Sequence, residues 1–121
     1  MSVEFNDREP IYIQIVDDFK RKLANGSYQP GQVIPSRREL AKRLGVNPNT
    51  VQRAYKEMED AGWIRTIRGL GSVLADDPAV LASFKEELFV DMTRKFVESM
   101  LAHGKTGEEI LKLVKQQLGM Q

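Results

Sequence analysis

The stretch "GVNPNTVQRAYKEME", residues 45–59, decides the fold of this chain. Its apolar side chains recur at the spacing of one face of a helix, which predicts a helix that is buried along one side. The opposite side carries polar and basic groups that crowd the first two turns. A helix of this kind needs a core behind it and leaves its polar N-terminal end free for a partner. The predicted buried face consists of Val51, Ala54, Tyr55 and Met58.

A shorter helix precedes this one. Ser36 and Glu39 have the spacing of a capping box, in which each side chain bonds the backbone amide of the other residue. Gly45 ends the short helix, because glycine readily takes the left-handed conformation. Asn47 then caps the next helix, and Pro48 takes its first position, where a missing N–H costs little. Two short helices joined at this corner predict a helix-turn-helix.

The flanking segments complete the predicted domain. A first helix begins after Pro10 and ends at an Asn-Gly pair, and a Pro-Gly turn follows it. Behind the helix-turn-helix, "WIRTIRGLGSVLA" predicts a hairpin with strands at residues 63–67 and 72–74. A hairpin in this position is a wing. We therefore expect a mainly α fold with a small β-hairpin wing, a winged helix-turn-helix domain over residues 1–76.

Residues 77–121 are expected to form a C-terminal helical arm that makes a homodimer. Their apolar helical face is wider than the roughly 100° that packing on one neighbour requires. Such a face is uncommon on a soluble monomer, and a two-fold axis buries it. Because the winged helix has apolar residues of its own, cutting the chain after Asp76 is expected to leave a folded monomer. The predicted dimerisation residues are Leu81, Phe84, Leu88, Phe89, Met92, Phe96, Leu111 and Val114.

Composition limits the possible classes of protein. The chain has 18 basic and 17 acidic residues, so its net charge of +1 neither supports nor excludes a nucleic-acid partner. Residues 35–72 hold eight basic against four acidic side chains, however, and the tail is mildly acidic. The absence of cysteine rules out disulfides and thiolate-bound metals. With no signal peptide and no apolar run near the roughly 20 residues that span a bilayer, we expect a cytoplasmic protein without a membrane segment.

The polar end of the helix at residues 48–60 suits the major groove of DNA. That groove is about 12 Å wide and admits one helix, and a helix start attracts phosphate. Asn and Gln can pair with adenine, Arg with guanine, and the methyl of Thr with the methyl of thymine. Two arginines open the preceding helix, and another lies at the wing tip. The predicted DNA-binding residues are Ser36, Arg37, Arg38, Asn47, Pro48, Asn49, Thr50, Gln52, Arg53, Lys56, Arg68 and Gly69.

An enzyme is not expected. His103, the single histidine, lies at a helix C-terminus, where an imidazolium is stabilised in any case. The acidic pairs are sequence neighbours, so their side chains diverge on a helix instead of converging on an ion. The glycine-rich loop of the wing lacks the following helix of a nucleotide-binding motif. The chain is therefore predicted to have no catalytic residues, no metal site and no cofactor.

Residues 10–74 closely resemble the winged-helix domain of the GntR family of bacterial transcription regulators. The specific parts are the Pro-Gly turn, "PSRREL", "GVNPNTVQRAY", "GWI" and the Arg-Gly pair at the wing tip. The short tail and the Asn-Pro-Asn-Thr stretch are similar to the YtrA subfamily. The resemblance implies DNA contacts at Arg38, at residues 47–50, and at Arg68 with the glycine after it. The chain departs from the family at Gln52, where many members have arginine.

The resemblance also implies a function. It indicates a homodimeric repressor that binds double-stranded DNA at an inverted-repeat operator and controls a transporter operon. No dedicated small-molecule domain is expected, and any effector ligand would bind between the arms of two subunits. Two other functions stay open: a plasmid replication or partition factor that uses the same domain, and a winged helix that binds a protein instead of DNA.

Overall fold

A computed structural model describes residues 4–121 of the chain. Three helices and a two-stranded hairpin are followed by two further helices, which confirms the predicted mainly α fold with a small β-hairpin wing. The elements are α1 (Ile11–Ala24), α2 (Arg37–Leu44), α3 (Pro48–Asp60), β1 (Ile64–Ile67), β2 (Gly71–Leu74), α4 (Pro78–Ala102) and α5 (Gly107–Leu118).

The chain divides into two compact units, one that ends at Leu88 and one that spans Phe89–Gln121. Helix α4 runs through this boundary, so the first unit contains the start of α4 as well as the winged helix. The sequence analysis placed the boundary earlier, between residues 76 and 77. The difference arises because apolar side chains near the start of α4 share the core of α1 and α3.

Aromatic side chains form the centre of the core in the first unit. The ring of Phe19 in α1 meets the ring of Tyr55 in α3 edge-on, with centroids 5.8 Å apart. The ring of Tyr28 lies 5.4 Å from Phe19 on another side. Ring pairs of this kind add about 0.5–1.5 kcal/mol to the stabilisation from buried area. Phe19 and Tyr55 are fully buried, so they hold α1 and α3 together.

Three of the predicted dimerisation residues lie in the interior of the first unit. Leu81 and Phe84 are buried in the core with α1 and α3, and Leu88 is buried further along α4. The chain's own core covers Leu81 and Phe84, which argues against a place for these two on a dimer surface. The helical spacing of the apolar residues in α4 correctly predicts a helix. It does not show which segment packs against the apolar face of that helix. The compact unit accordingly extends to Leu88, beyond the expected boundary after Asp76.

The corner between α2 and α3 forms largely as the sequence predicts. The hydroxyl of Ser36 accepts a hydrogen bond from the amide of Glu39 at 3.1 Å, which starts α2. The carboxylate of Glu39 does not reach back to Ser36. It binds Arg43 one turn later, so only half of the expected capping box is present. Gly45 ends α2 with a φ of +67°, a left-handed conformation that side chains other than glycine rarely adopt.

The hairpin of β1 and β2 forms the wing. The strands are antiparallel, with Ile64 opposite Leu74 and Ile67 opposite Gly71. The segment before α2 adds a short third partner through an isolated bridge between Val33 and Val73. Because β2 has partners on both edges, the base of the wing is fixed to the domain.

The second unit contains the rest of α4 and the whole of α5. Thr106 starts α5 with a complete capping box, because its amide donates to Glu109 and the amide of Glu109 donates to its hydroxyl, at 3.1 and 3.2 Å. Ile110 is buried, but several large apolar residues of this unit are exposed. Among residues 4–121, no helix combines the length and the apolar character that crossing a membrane requires.

Candidate nucleic-acid interface

Helix α3 presents a polar face at its N-terminal end. The four apolar residues predicted for its inner face are all fully buried, which confirms that prediction. At the start of the helix, the side-chain oxygen of Asn47 accepts from the amide of Asn49 at 2.8 Å, and Pro48 takes the first position. The cap uses the side-chain oxygen of Asn47, and the residue is exposed. Thr50 is half-buried, and the exposed polar residues of this face are Asn49, Gln52, Arg53 and Lys56.

The two arginines at the start of α2 have different environments. Arg37 donates to the carboxylate of Glu59 at 3.0 Å, and its guanidinium lies 5.2 Å from the centroid of the Tyr55 ring. Its Nε is buried and has no hydrogen-bond partner among the described residues. Arg37 therefore joins α2 to the end of α3. Arg38 is exposed and forms no ion pair within residues 4–121, so its guanidinium is available to a ligand.

Arg53 contacts a residue that the sequence analysis did not select. Its guanidinium carbon lies 3.9 Å from the centroid of the Tyr12 ring, and its Nη2 donates to the Tyr12 hydroxyl at 3.1 Å. Tyr12 has helical spacing with the apolar residues of α1, and no local signal in the sequence connects it to a residue 41 positions away. An open notch lies beside this contact, between the starts of α1 and α3. It is lined by Pro10, Ile11, Tyr12, Asn47, Asn49, Thr50 and Arg53.

Lys56 lies about two turns beyond Asn49, at the far end of the polar face. Its ammonium group is 3.2 Å from the carboxylate of Asp60, and both side chains are about two-thirds exposed. Exposed pairs of this type contribute only about 0–1 kcal/mol. Lys56 can therefore exchange this partner for a phosphate at little cost.

The wing carries a free cation at its tip. Arg68 lies in the turn between β1 and β2, is exposed, and makes no ion pair with the part of the chain that the structure describes. Gly69 follows it with a φ of +83°, and the amide of Leu70 closes the turn on the carbonyl of Ile67 at 3.0 Å. The guanidinium of Arg65, at the base of the hairpin, is already paired with the carboxylate of Asp76 at 3.3 Å.

The interface offers hydrogen-bonding groups and positive charge instead of a reactive centre. No cluster of three or more histidine, cysteine, aspartate or glutamate residues suitable for a metal occurs among residues 4–121. Burial raises the pKa of Tyr55 well above its ordinary value of 10.0, and its hydroxyl donates to the carbonyl of Pro35. Tyr55 is therefore a neutral structural donor that holds α3 to the segment before α2.

A helix-turn-helix with an exposed polar reading end, followed by an arginine-tipped hairpin, defines a winged-helix regulator that binds DNA. The family model "Bacterial regulatory proteins, gntR family" matches residues 11–74. The chain belongs to the GntR family, as its resemblance implied. Members of this family are transcription regulators, not enzymes.

Several known proteins are similar over most of the chain. An HTH-type transcriptional regulator of Bacillus subtilis, YhcF, is 38% identical over 115 residues, which is 95% of each chain. The HTH-type transcriptional repressor YtrA of the same organism is 46% identical over 68 residues, 56% of this chain and 52% of its own length. The structure of a GntR family transcriptional regulator from Listeria monocytogenes superposes with a TM-score of 0.79 at 38% identity, covering 93% of this chain and 98% of that one.

Proposed function

We propose that this chain is a homodimeric transcriptional repressor that binds an inverted-repeat DNA operator. The observation that carries the proposal is the exposed polar end of α3, flanked by the uncommitted guanidinium groups of Arg38 and Arg68. In this arrangement α3 enters the major groove, and its first two turns meet the edges of the bases. The wing tip then lies over the adjacent minor groove or its phosphates.

Each polar group has a proposed part in this contact. Asn49 and Gln52 offer amides that can pair with adenine, and Thr50 offers a methyl group to thymine. Arg53 offers a guanidinium to guanine. Lys56 neutralises a phosphate, which adds affinity without sequence preference. Asn47, Pro48 and Ser36 are exposed at the starts of α3 and α2, and their proposed part is contact with the sugar-phosphate backbone of DNA.

Arg38 and Arg37 have separate parts in the proposal. Arg38 reaches a phosphate or a base beside the reading helix, since nothing among the described residues neutralises it. Arg37 acts indirectly: its ion pair with Glu59 holds α2 in a fixed position relative to α3. Gly69 lets the wing turn tightly, so that Arg68 stands at its tip.

The second unit is proposed to make the dimer. Phe89, Met92, Phe96 and Leu111 are between 43% and 63% exposed, an uncommon number of large apolar groups for one small unit. An apolar groove in the same unit is lined by Phe96, Met100, Leu113, Val114, Gln117 and Leu118. A second copy that packs these surfaces across a two-fold axis buries them and brings two reading helices to one operator.

The proposed direction of regulation, repression, is supported by the name of a relative. The protein YtrA carries the name of a repressor, and the present chain is 46% identical to it over 68 residues. A dimer seated on an operator obstructs transcription without any further domain. Because its proposed partner is DNA, the protein is proposed to act in the cytoplasm, and the subfamily resemblance favours a transporter operon as the target.

Selection from a randomised double-stranded DNA library tests this function. Purified full-length protein should enrich duplexes that contain two copies of one short sequence in inverted orientation. Arg38→Ala should weaken binding to the selected duplex by about 1–3 kcal/mol. Arg21→Ala is a matched control, because Arg21 pairs with Asp18 within α1. Enrichment of no sequence would rule out the operator-binding function, and enrichment of a single half-site would rule out the dimer on DNA.

A further inference from the structure

We propose that Tyr12 is a positioning residue that determines the base preference of Arg53. The proposal rests on the proposed function, because it requires that α3 reads DNA. It adds a residue of α1, which lies outside the helix-turn-helix, to the residues that determine base recognition. The mechanism is preorganisation: the Tyr12 ring holds the guanidinium of Arg53 in one orientation before DNA is bound.

Two contacts of different kinds define this orientation. The guanidinium stacks over the Tyr12 ring with its carbon 3.9 Å from the ring centroid, and one of its nitrogens donates to the Tyr12 hydroxyl at 3.1 Å. Stacking restricts the plane of the guanidinium, and the hydrogen bond restricts its rotation within that plane. A free arginine side chain at an exposed position samples many rotamers, which costs entropy when it binds. The pair therefore removes most of that cost in advance.

The platform under Arg53 is itself fixed. Tyr12 is half-buried and its ring packs against the core of the first unit. At the start of the same helix, Gln14 makes three hydrogen bonds of 2.9–3.0 Å to Asn6 and Glu9, which fasten the preceding segment. The position of the Tyr12 hydroxyl is thus determined by the fold and not by the local freedom of a surface side chain.

The held guanidinium still has donors to offer. An arginine has five N–H donors, and the Tyr12 hydroxyl accepts from one nitrogen only. Arg53 lies one turn after Asn49, on the same side of α3, and both line the open notch beside the helix start. A planar group with free donors at this place suits bidentate pairing with the O6 and N7 atoms of guanine. Tyr12 then favours guanine by fixing the angle of approach.

The alternative is that Tyr12 only supports the fold, or binds a phosphate on its own. A merely structural residue changes the affinity for all duplexes together with the thermal stability. A phosphate contact changes the salt dependence and leaves base preference alone. A positioning residue changes the preference at one base pair, and the same base pair must respond to Arg53.

The test uses the full-length chain and the duplex that it selects from a randomised library, with every single-base-pair variant of that duplex. The Kd is measured for the wild type, Tyr12→Phe, Tyr12→Ala, Arg53→Ala and the double variant, with melting temperatures for each protein. Arg21→Ala is the control, since Arg21 lies at the other end of α1, pairs with Asp18 and does not line the notch. Tyr12→Phe keeps the ring and loses the hydroxyl, so it tests the proposal even if Tyr12→Ala is unstable.

We expect Tyr12→Ala and Arg53→Ala to reduce discrimination at the same base pair by about tenfold, within the range of one lost bidentate contact. The double variant should lose no more than Arg53→Ala alone, and Tyr12→Phe should fall between Tyr12→Ala and the wild type. Unchanged discrimination in both Tyr12 variants, or an equal loss on all duplexes, overturns this inference alone. A wild type that enriches no sequence overturns the proposed function, and this inference with it.

Discussion

The indole ring of Trp63 and the phenyl ring of Phe84 lie stacked, with centroids 4.2 Å apart and planes 12° from parallel. Trp63 stands just before the wing, and Phe84 belongs to α4. The ammonium group of Lys20 in α1 lies 5.5 and 5.7 Å from the two ring centroids and pairs with Glu87 at 3.3 Å. The first helix, the wing and the start of α4 are therefore joined at one place.

Phe84→Ala should lower the free energy of unfolding of the first unit by about 3–5 kcal/mol, since it removes a fully buried ring and leaves a cavity beside Trp63. Urea unfolding followed by the fluorescence of Trp63, the single tryptophan, reports this unit. Phe89→Ala is the matched control, because Phe89 lies in the same helix and is 47% exposed. An equal effect of the two changes would contradict the role of Phe84 in the core.

Truncation should show where the first unit ends. A chain cut after Leu88 keeps the stacked pair and should unfold cooperatively, whereas a chain cut after Asp76 loses three buried residues of α4 and should not form a stable fold. Thermal unfolding followed by circular dichroism compares the two fragments. The result that speaks against this boundary is a fragment of residues 1–76 that melts at the temperature of the longer one.

Arg37→Ala and Arg38→Ala should separate folding from DNA contact. Arg37→Ala should lower the free energy of unfolding by about 1 kcal/mol, because it removes the pair with Glu59 and the contact with the Tyr55 ring. Arg38→Ala should leave stability unchanged and weaken binding to the selected duplex. Urea unfolding and fluorescence anisotropy of labelled DNA measure the two effects. The assignment is wrong if Arg38→Ala lowers the stability and Arg37→Ala leaves it unchanged.

Alkaline pH should destabilise the protein through Tyr55. Burial raises the pKa of this phenol in the folded state, so the folded chain keeps a proton that the unfolded chain loses near pH 10.0. The stabilisation is fully present below that pH, and it declines as the pH rises from there toward the folded pKa. In the Tyr55→Phe variant, the free energy of unfolding, measured by urea titration between about pH 8 and 11, should fall less steeply with pH than in the wild type. An unchanged slope would show that Tyr55 is not the cause of the alkaline destabilisation. Tyr28, whose pKa burial also raises, accounts for a remaining slope.

Phe96→Asp should convert the proposed dimer to a monomer, because it puts a charge into the apolar groove of the second unit. Sedimentation equilibrium at tens of micromolar protein measures the change. Leu70→Asp, at the exposed tip of the wing, is the matched control and should leave the dimer intact. A wild-type chain that sediments as a monomer, or a Phe96→Asp chain that still dimerises, would remove the second unit from this role.

Local patterns in the sequence were sufficient for much of the fold. The buried face of α3, its asparagine cap and the wing depend on residues that are close in the chain, where helical spacing and backbone preference decide the outcome. Contacts between distant segments were not predictable in this way. The pairs Arg37–Glu59 and Arg53–Tyr12 join positions 22 and 41 residues apart. Helical periodicity shows which side of a helix is apolar, but it does not show which segment packs against that side.

Contacts between distant segments also limited how much of the candidate site could be predicted from the sequence. The residues that face outward from α3 could be named from their spacing, but their partners could not. Among basic residues of similar appearance, Arg37 is engaged within the chain and Arg38 is not, and this difference depends on where Glu59 and the Tyr55 ring lie. Likewise, Leu81 and Phe84 have the same helical spacing as exposed residues later in α4, and only the position of the core separates them.

The sharing of α4 between the two units also has a consequence during protein synthesis. Domains fold as units while the chain emerges from the ribosome at about 5–20 residues per second, and here the core is complete only after Leu81 and Phe84 have been made. A messenger truncated before the Phe84 codon therefore encodes a chain that lacks this ring from the core of its first unit.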